Sequence, residues 1–93
     1  MTSTTGTTTT ATVTVRYFAA ARAAAGAESE AVELPEGSTV DDAIAAIRDK
    51  HGADLERVLG RCSFLLDEVA VRDRAVPVAD GALLDVLPPF AGG

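Results

Sequence analysis

The chain holds one cysteine, no tryptophan, four aromatic residues and no basic run, and each shortage removes a class of function. With Cys62 alone, no internal disulfide and no thiolate metal cluster can form from this chain. Tyr17, Phe18, Phe64 and Phe90 are the only aromatics, so Ala and Val must fill the core by close rather than bulky packing. Acidic residues outnumber basic ones, for a net charge of -6, and the electrostatic footprint of a nucleic-acid binder is missing. That acidity suits a basic protein partner, though solubility alone accounts for it. No stretch approaches the ~20 apolar residues of a membrane span, and no secretory core segment is present, so cytoplasm is the expected location. Nucleic acid and membrane are not expected as partners. No catalytic triad, paired catalytic acids or phosphate loop appears. At 93 residues there is room for one modest core, which favours a binding or carrier role over a self-contained enzyme.

What is present begins with a Thr-rich run. Residues 1–11 have no apolar period and cannot bury enough surface to offset their ordering entropy, so they read as a flexible tail; a β-branched strand extending from Thr7 is the competing reading. From Thr12 the pattern changes, and 12–93 reads as one domain. Val13, Val15 and Tyr17 alternate with Thr12, Thr14 and Arg16, which predicts a half-buried strand. Ala19–Ala25 before Gly26 predicts a short helix closed by a left-handed glycine. Val32 and Leu34 mark a second strand, broken at Pro35-Glu36-Gly37.

Ser38-Thr39 before Asp41-Asp42 predicts a helix start, and Val40, Ala43, Ile44 and Ile47 fall on one inward stripe that runs out at Lys50-His51-Gly52. Another helical turn or two is expected over Asp54–Leu59. Strands are predicted at Ser63–Leu66, Val69–Val71 and Leu83–Leu87, with turns near Asp67-Glu68 and Asp80-Gly81. The stripe of the main helix must be covered, and a mixed sheet wrapped over it is the simple two-layer solution. The fold class is α+β: a β-grasp, or ubiquitin-like, sheet packed on one main helix.

Pro88 and Pro89 stop the last strand, because two prolines remove two backbone donors and hold the chain extended. Phe90-Ala91-Gly92-Gly93 comes next, thin and unbranched enough to thread a narrow cleft, although a frayed terminus is the commoner fate of such residues. The wider pattern decides between these. Val15-Arg16-Tyr17-Phe18-Ala19 with Arg22 and Gly26, the helix from Thr39, the Asp80-Gly81 turn and Leu87-Pro88-Pro89-Phe90-Ala91-Gly92-Gly93 together resemble the small subunit of molybdopterin synthase and its MoaD/ThiS sulfur-carrier relatives. The resemblance runs from Thr12 to Gly93. It departs at Asp67-Glu68, where members often carry Asn, and at Ala82, where they often carry an acid.

The resemblance implies that Gly93 is adenylated by an E1-like, MoeB-like partner using ATP. It is then converted to a thiocarboxylate with sulfur from a cysteine desulfurase or rhodanese domain. The sulfur is delivered inside the large, MoaE-like synthase subunit, in a heterotetramer, to a cyclic pterin phosphate. No permanently bound cofactor or metal is implied. Gly92 gives clearance, Ala91 binds the partner beside it, Pro88, Pro89 and Phe90 give orientation, and Phe90 either anchors in a partner groove or folds back on the sheet. Cys62 reads as a small buried hydrophobe rather than a sulfur relay, with Arg61 beside it able to lower its pKa. His51 reads as a solvated cation at a helix end rather than a base. A carrier for thiamine or cysteine synthesis, a protein modifier joined to lysines through Gly93, and a plain interaction module remain as alternatives.

Overall fold

The alternation of Val13, Val15 and Tyr17 builds strand β1, Thr10–Tyr17, and the computed structural model, which describes residues 9–89, buries all three completely. The strand starts two residues ahead of the predicted boundary, which corrects the 1–11 tail. Thr10 and Ala11 pair with Pro35 and Leu34 of β2, Ser29–Pro35, and Ala11 is buried because it continues the inward period of Val13. The rest of that tail, 1–8, lies outside the described residues.

Helix α1, Ala19–Ala25, ends where Gly26 takes φ 74° and donates its N–H to Arg22 O at 2.9 Å, the left-handed closure that a glycine permits without strain. Helix α2, Val40–His51, opens on a reciprocal cap. Thr39 Oγ1 accepts from Asp42 N at 3.2 Å, and Thr39 N donates to Asp42 Oδ2 at 2.9 Å, so Asp42 serves where longer acids usually do. The stripe of Val40, Ala43, Ile44 and Ile47 is buried as its spacing predicts. Helix α3, Ala53–Leu59, buries Leu55 and Leu59.

Strands β3, Ser63–Leu66, and β4, Val69–Ala70, form a hairpin whose two loop residues, Asp67 and Glu68, have φ of 50° and 71°. Two-residue hairpin loops favour this left-handed geometry because it matches strand twist. Asp67 is held in it by β5, Leu83–Leu87: its N–H donates to Leu83 O at 2.8 Å and its Oδ1 accepts from Leu83 N at 3.0 Å. β4 stops one residue short of the predicted Val71, whose N–H still bonds Phe64 O at 2.9 Å.

The sheet order is β2-β1-β5-β3-β4, with β1 and β5 parallel and the other neighbours antiparallel. Parallel pairing places the last strand at the sheet's centre, between β1 and β3. The helices cover one face; α2 is the longest and is the main helix expected, and the two short helices foreseen beside it are α1 and α3, with α3 packed against both α1 and α2. The architecture is an α+β, ubiquitin-like β-grasp. Among the described residues, no helix is long and apolar enough to cross a membrane.

Candidate functional site

The site predicted from sequence is the six residues Pro88 to Gly93, which follow the end of β5. Of these the described structure contains Pro88, half-buried, and Pro89, exposed; Phe90, Ala91, Gly92 and Gly93 lie outside the described residues. Phe18 N–H donates to Val86 O at 3.3 Å, the last β1–β5 backbone bond, and beyond Leu87 the prolines offer no N–H to prolong the ladder. The chain therefore stops pairing in the middle of the sheet, with a strand on either side.

Around this exit the helix-free face carries side chains that the sequence pattern did not single out. Asp85 is 4% exposed, and Arg16 grips it through Nε to Oδ1 at 2.7 Å and Nη2 to Oδ2 at 2.9 Å. That bidentate hydrogen bond, with the Asp85 charge, holds the Arg16 guanidinium above its usual value against the opposing effect of burial. The Arg16 Cζ also lies 5.8 Å from the Phe18 ring centre, within cation–π range. Leu83 and Leu87 flank Asp85 on the same face by strand alternation, and Leu65 stands opposite it on β3; all three are half-buried and apolar. The signal for this arrangement was Asp85 itself, a lone charge in the apolar run Leu83–Leu87.

The start of β5 is tied separately. Thr12 N donates to Asp80 Oδ1 at 2.8 Å, and Gly81, at φ 87°, donates its N–H to Thr12 O at 2.8 Å. Ala82, where relatives often carry an acid, is 2% exposed and belongs to the core, so an acid in its place here would be buried.

On the helical face a second polar group gathers at the far end of α2. Glu30 on β2 accepts from Tyr17 Oη, bonds His51 Nε2 and pairs with Lys50 Nζ at 2.7 Å. Burial pushes the Glu30 carboxyl up, but the bonds from Lys50, Tyr17 and His51 together outweigh it and hold the group down at about 2. Burial, reinforced by the bond to Glu30, pushes the Tyr17 phenol well above its usual value. The His51 and Tyr17 rings meet edge to face at 5.8 Å and 83°. His51 is therefore not the solvated cation that its helix-end position suggests: its side chain is 15% exposed and fastens α2 to the sheet.

Cys62 is buried, its Sγ donates to Val58 O at 3.3 Å, and burial pushes its thiol up, which suits a core residue rather than a sulfur relay. The cation that partly offsets this is Arg74, not the adjacent Arg61. Among the described residues no group of three or more His, Cys, Asp or Glu side chains is placed to hold a metal.

A match to the ThiS family spans residues 15–93. The chain belongs to the ThiS family. Structural likeness agrees with this. SAMP1 from Haloferax volcanii superposes with a TM-score of 0.79 at 27% identity, covering 88% of this chain and 99% of that one. A Pyrococcus furiosus protein assigned as subunit 1 of a molybdopterin converting factor gives 0.74 at 28%, covering 86% and 99%. Subunit 1 and 2 of the Helicobacter pylori molybdopterin-converting factor form a complex in which a chain shares the fold of this one, with a TM-score of 0.68 at 23%, covering 88% and 99%. No curated protein sequence matches significantly. The ThiS-family chain thus has the ThiS/MoaD-type sulfur-carrier fold, with a helix-free face beside the point where β5 ends.

Proposed function

We propose that this ThiS-family chain is the sulfur-carrying small subunit of a molybdopterin synthase, with the Gly93 carboxylate as the group that is charged. The observation that carries the reading is a family match that runs through Gly93, behind a proline stop on the central strand of the sheet. A bare carboxylate is a poor electrophile. In the adenylating partner a Gly93 oxygen attacks the α-phosphorus of ATP, pyrophosphate leaves, and a mixed anhydride forms. A persulfide sulfur from the donor then attacks the acyl carbon, and AMP departs with the bonding pair. Cleavage of the S–S bond by a donor thiol leaves a thiocarboxylate on Gly93 and a disulfide on the donor. Gly92 and Ala91 keep the segment narrow, Pro88 and Pro89 set its direction, and Phe90 anchors it in the partner's groove.

The name of the Pyrococcus neighbour favours the molybdopterin pathway. A second reading, a protein modifier, is favoured by the likeness to SAMP1, a small archaeal modifier protein. Both begin with the same adenylation and part at the nucleophile. The deciding experiment incubates the chain with its adenylating enzyme, ATP and a persulfide donor, and reads the intact mass. Replacement of one oxygen by sulfur at Gly93, followed by molybdopterin formation with the large subunit and cyclic pterin phosphate, is the expected result. Lysine conjugates of other proteins instead would establish the modifier. A thiocarboxylate that serves only thiamine or cysteine synthesis would move the carrier to another pathway, and an unchanged chain would end both readings.

A further inference from the structure

The five residues of β5, Leu83-Leu84-Asp85-Val86-Leu87, are apolar on both faces except at Asp85. Strand register is normally set by which side chains face the core, but here a one-residue shift would bring Leu83 or Leu87 to the core side together with Asp85, so Asp85 is the one side chain of the strand that the core face rejects. Backbone bonds fix the start of the strand at residues 80–83, Thr14 N to Ala82 O at 2.9 Å among them, so the segment open to a one-residue bulge begins at Leu84. The connection from β4 to β5, residues 71–82, contains no helix or strand, but Val40 N to Val76 O, Asp41 N to Arg74 O and Val78 N to Ser38 O hold it to the start of α2. The hooks from Asp67 and Asp80 hold Leu83 and the turn before it, and Pro88-Pro89 offer no hydrogen-bond donors after the strand.

We propose that the Arg16–Asp85 pair is the register lock of the C-terminal strand, and through it a positioning device for the terminus. The two residues stand directly opposite each other in the parallel β1–β5 ladder, and both guanidinium contacts are short. A bulge of one residue carries Asp85 away from Arg16 and toward the core face, where Val15 and Tyr17 are fully buried and a carboxylate loses its water. An unpaired buried charge is strongly disfavoured, and the Asp85 side chain is 6% exposed while Arg16 reaches it from a side chain 42% exposed, so the pair excludes alternatives that the apolar residues around it tolerate. The functional consequence rests on the carrier reading. One residue along a parallel strand is ~3.3 Å, so a slipped β5 misplaces the reacting end as far as deleting a residue does.

The test replaces both charges with apolar groups, Arg16→Met with Asp85→Leu, because a single truncation would strand the other charge and could unfold the domain. Nuclear Overhauser contacts between β1 and β5 backbone protons report register in the free protein, with no partner needed. The expected result is a melt within a few degrees of wild type, a second set of amide signals for residues 84–89, and a slipped fraction that loads sulfur about 100-fold more slowly or worse. The conservative Arg16→Lys should keep one register and load within about threefold of wild type. A double variant that keeps the single native register overturns the lock, whether it loads normally or slowly, since slow loading would then come from the partner-facing surface. If wild type itself is never adenylated, the carrier reading fails, while the register measurement still decides this proposal.

Discussion

Glu30 shows how a single side chain acquires a role that its place in the sequence does not announce. In β2 it alternates with outward residues like any edge-strand acid, yet the fold brings Tyr17 from β1 and Lys50 and His51 from α2 onto its two oxygens. Its carboxyl is held at about 2, below the ordinary 4.5. A depressed acid contributes stability that is present above its unfolded value and lost as pH falls through its folded value. Wild type should therefore lose stability between about pH 4.5 and 2, and Glu30→Gln should flatten that slope while costing about 1–3 kcal/mol at neutral pH, read by urea melts across the range. The terminus yields a prediction of another kind, because in the proposed carrier Gly93 acts through chemistry rather than packing. Deleting Gly93 withdraws the carboxylate by ~3.3–3.6 Å and should abolish sulfur loading with the fold intact, since about 1 Å of misplacement can already cost ~100-fold. Gly92→Val should fail as well, through bulk in the cleft rather than lost reach. Pyrophosphate release and thiocarboxylate yield, with circular dichroism on each variant, check both.

Helix α2 organises the structure because its capping, stripe and end all agree. Thr39 and Asp42 satisfy early backbone donors, Asp41 and Asp42 sit at the positive end of the dipole, and Arg48, Lys50 and His51 occupy the last turn. Removing the cap with Thr39→Ala should cost about 1 kcal/mol in a denaturant melt. Ile44→Asp should unfold the domain, because a charge at a 5%-exposed site within the core has no partner, at a cost of several kcal/mol. Arg48→Glu, on the exposed side of the same helix, is the control and should shift the melt little. A wild-type melt for Ile44→Asp would mean that this helix face does not support the fold. The elements that differed from expectation did so at their edges: β1 gained Thr10 and Ala11, and β4 lost Val71. Strand ends follow the partner strand's reach, and pairing with Leu34 and Pro35 extends β1 beyond its own alternation.

At the scale of the molecule, the ends of the chain are the places to test how the domain is bounded. Ala11 is buried against the core, and Thr9 O accepts from Glu36 N at 3.0 Å, so removing residues 1–11 should lower the melting temperature by several degrees, whereas removing 1–8 should leave it and partner binding nearly unchanged. Differential scanning calorimetry of the two truncations separates these outcomes. The single cysteine, the proline stop and the glycine end were legible as residues, and helices α1 and α2 as spacing, because each depends on neighbours within a few positions. The β-grasp class came once a lone long helix had to be covered by strands. The sequence by itself thus determined the local elements, the core stripe and the terminal motif. Only the tertiary structure decided that β5 lies parallel to β1 at the centre of the sheet, that Arg16 meets Asp85 across 69 positions, and that His51 turns inward to Glu30. Those facts depend on which distant segments meet, and no periodicity along the chain encodes the closure of a loop or the partner of a buried charge.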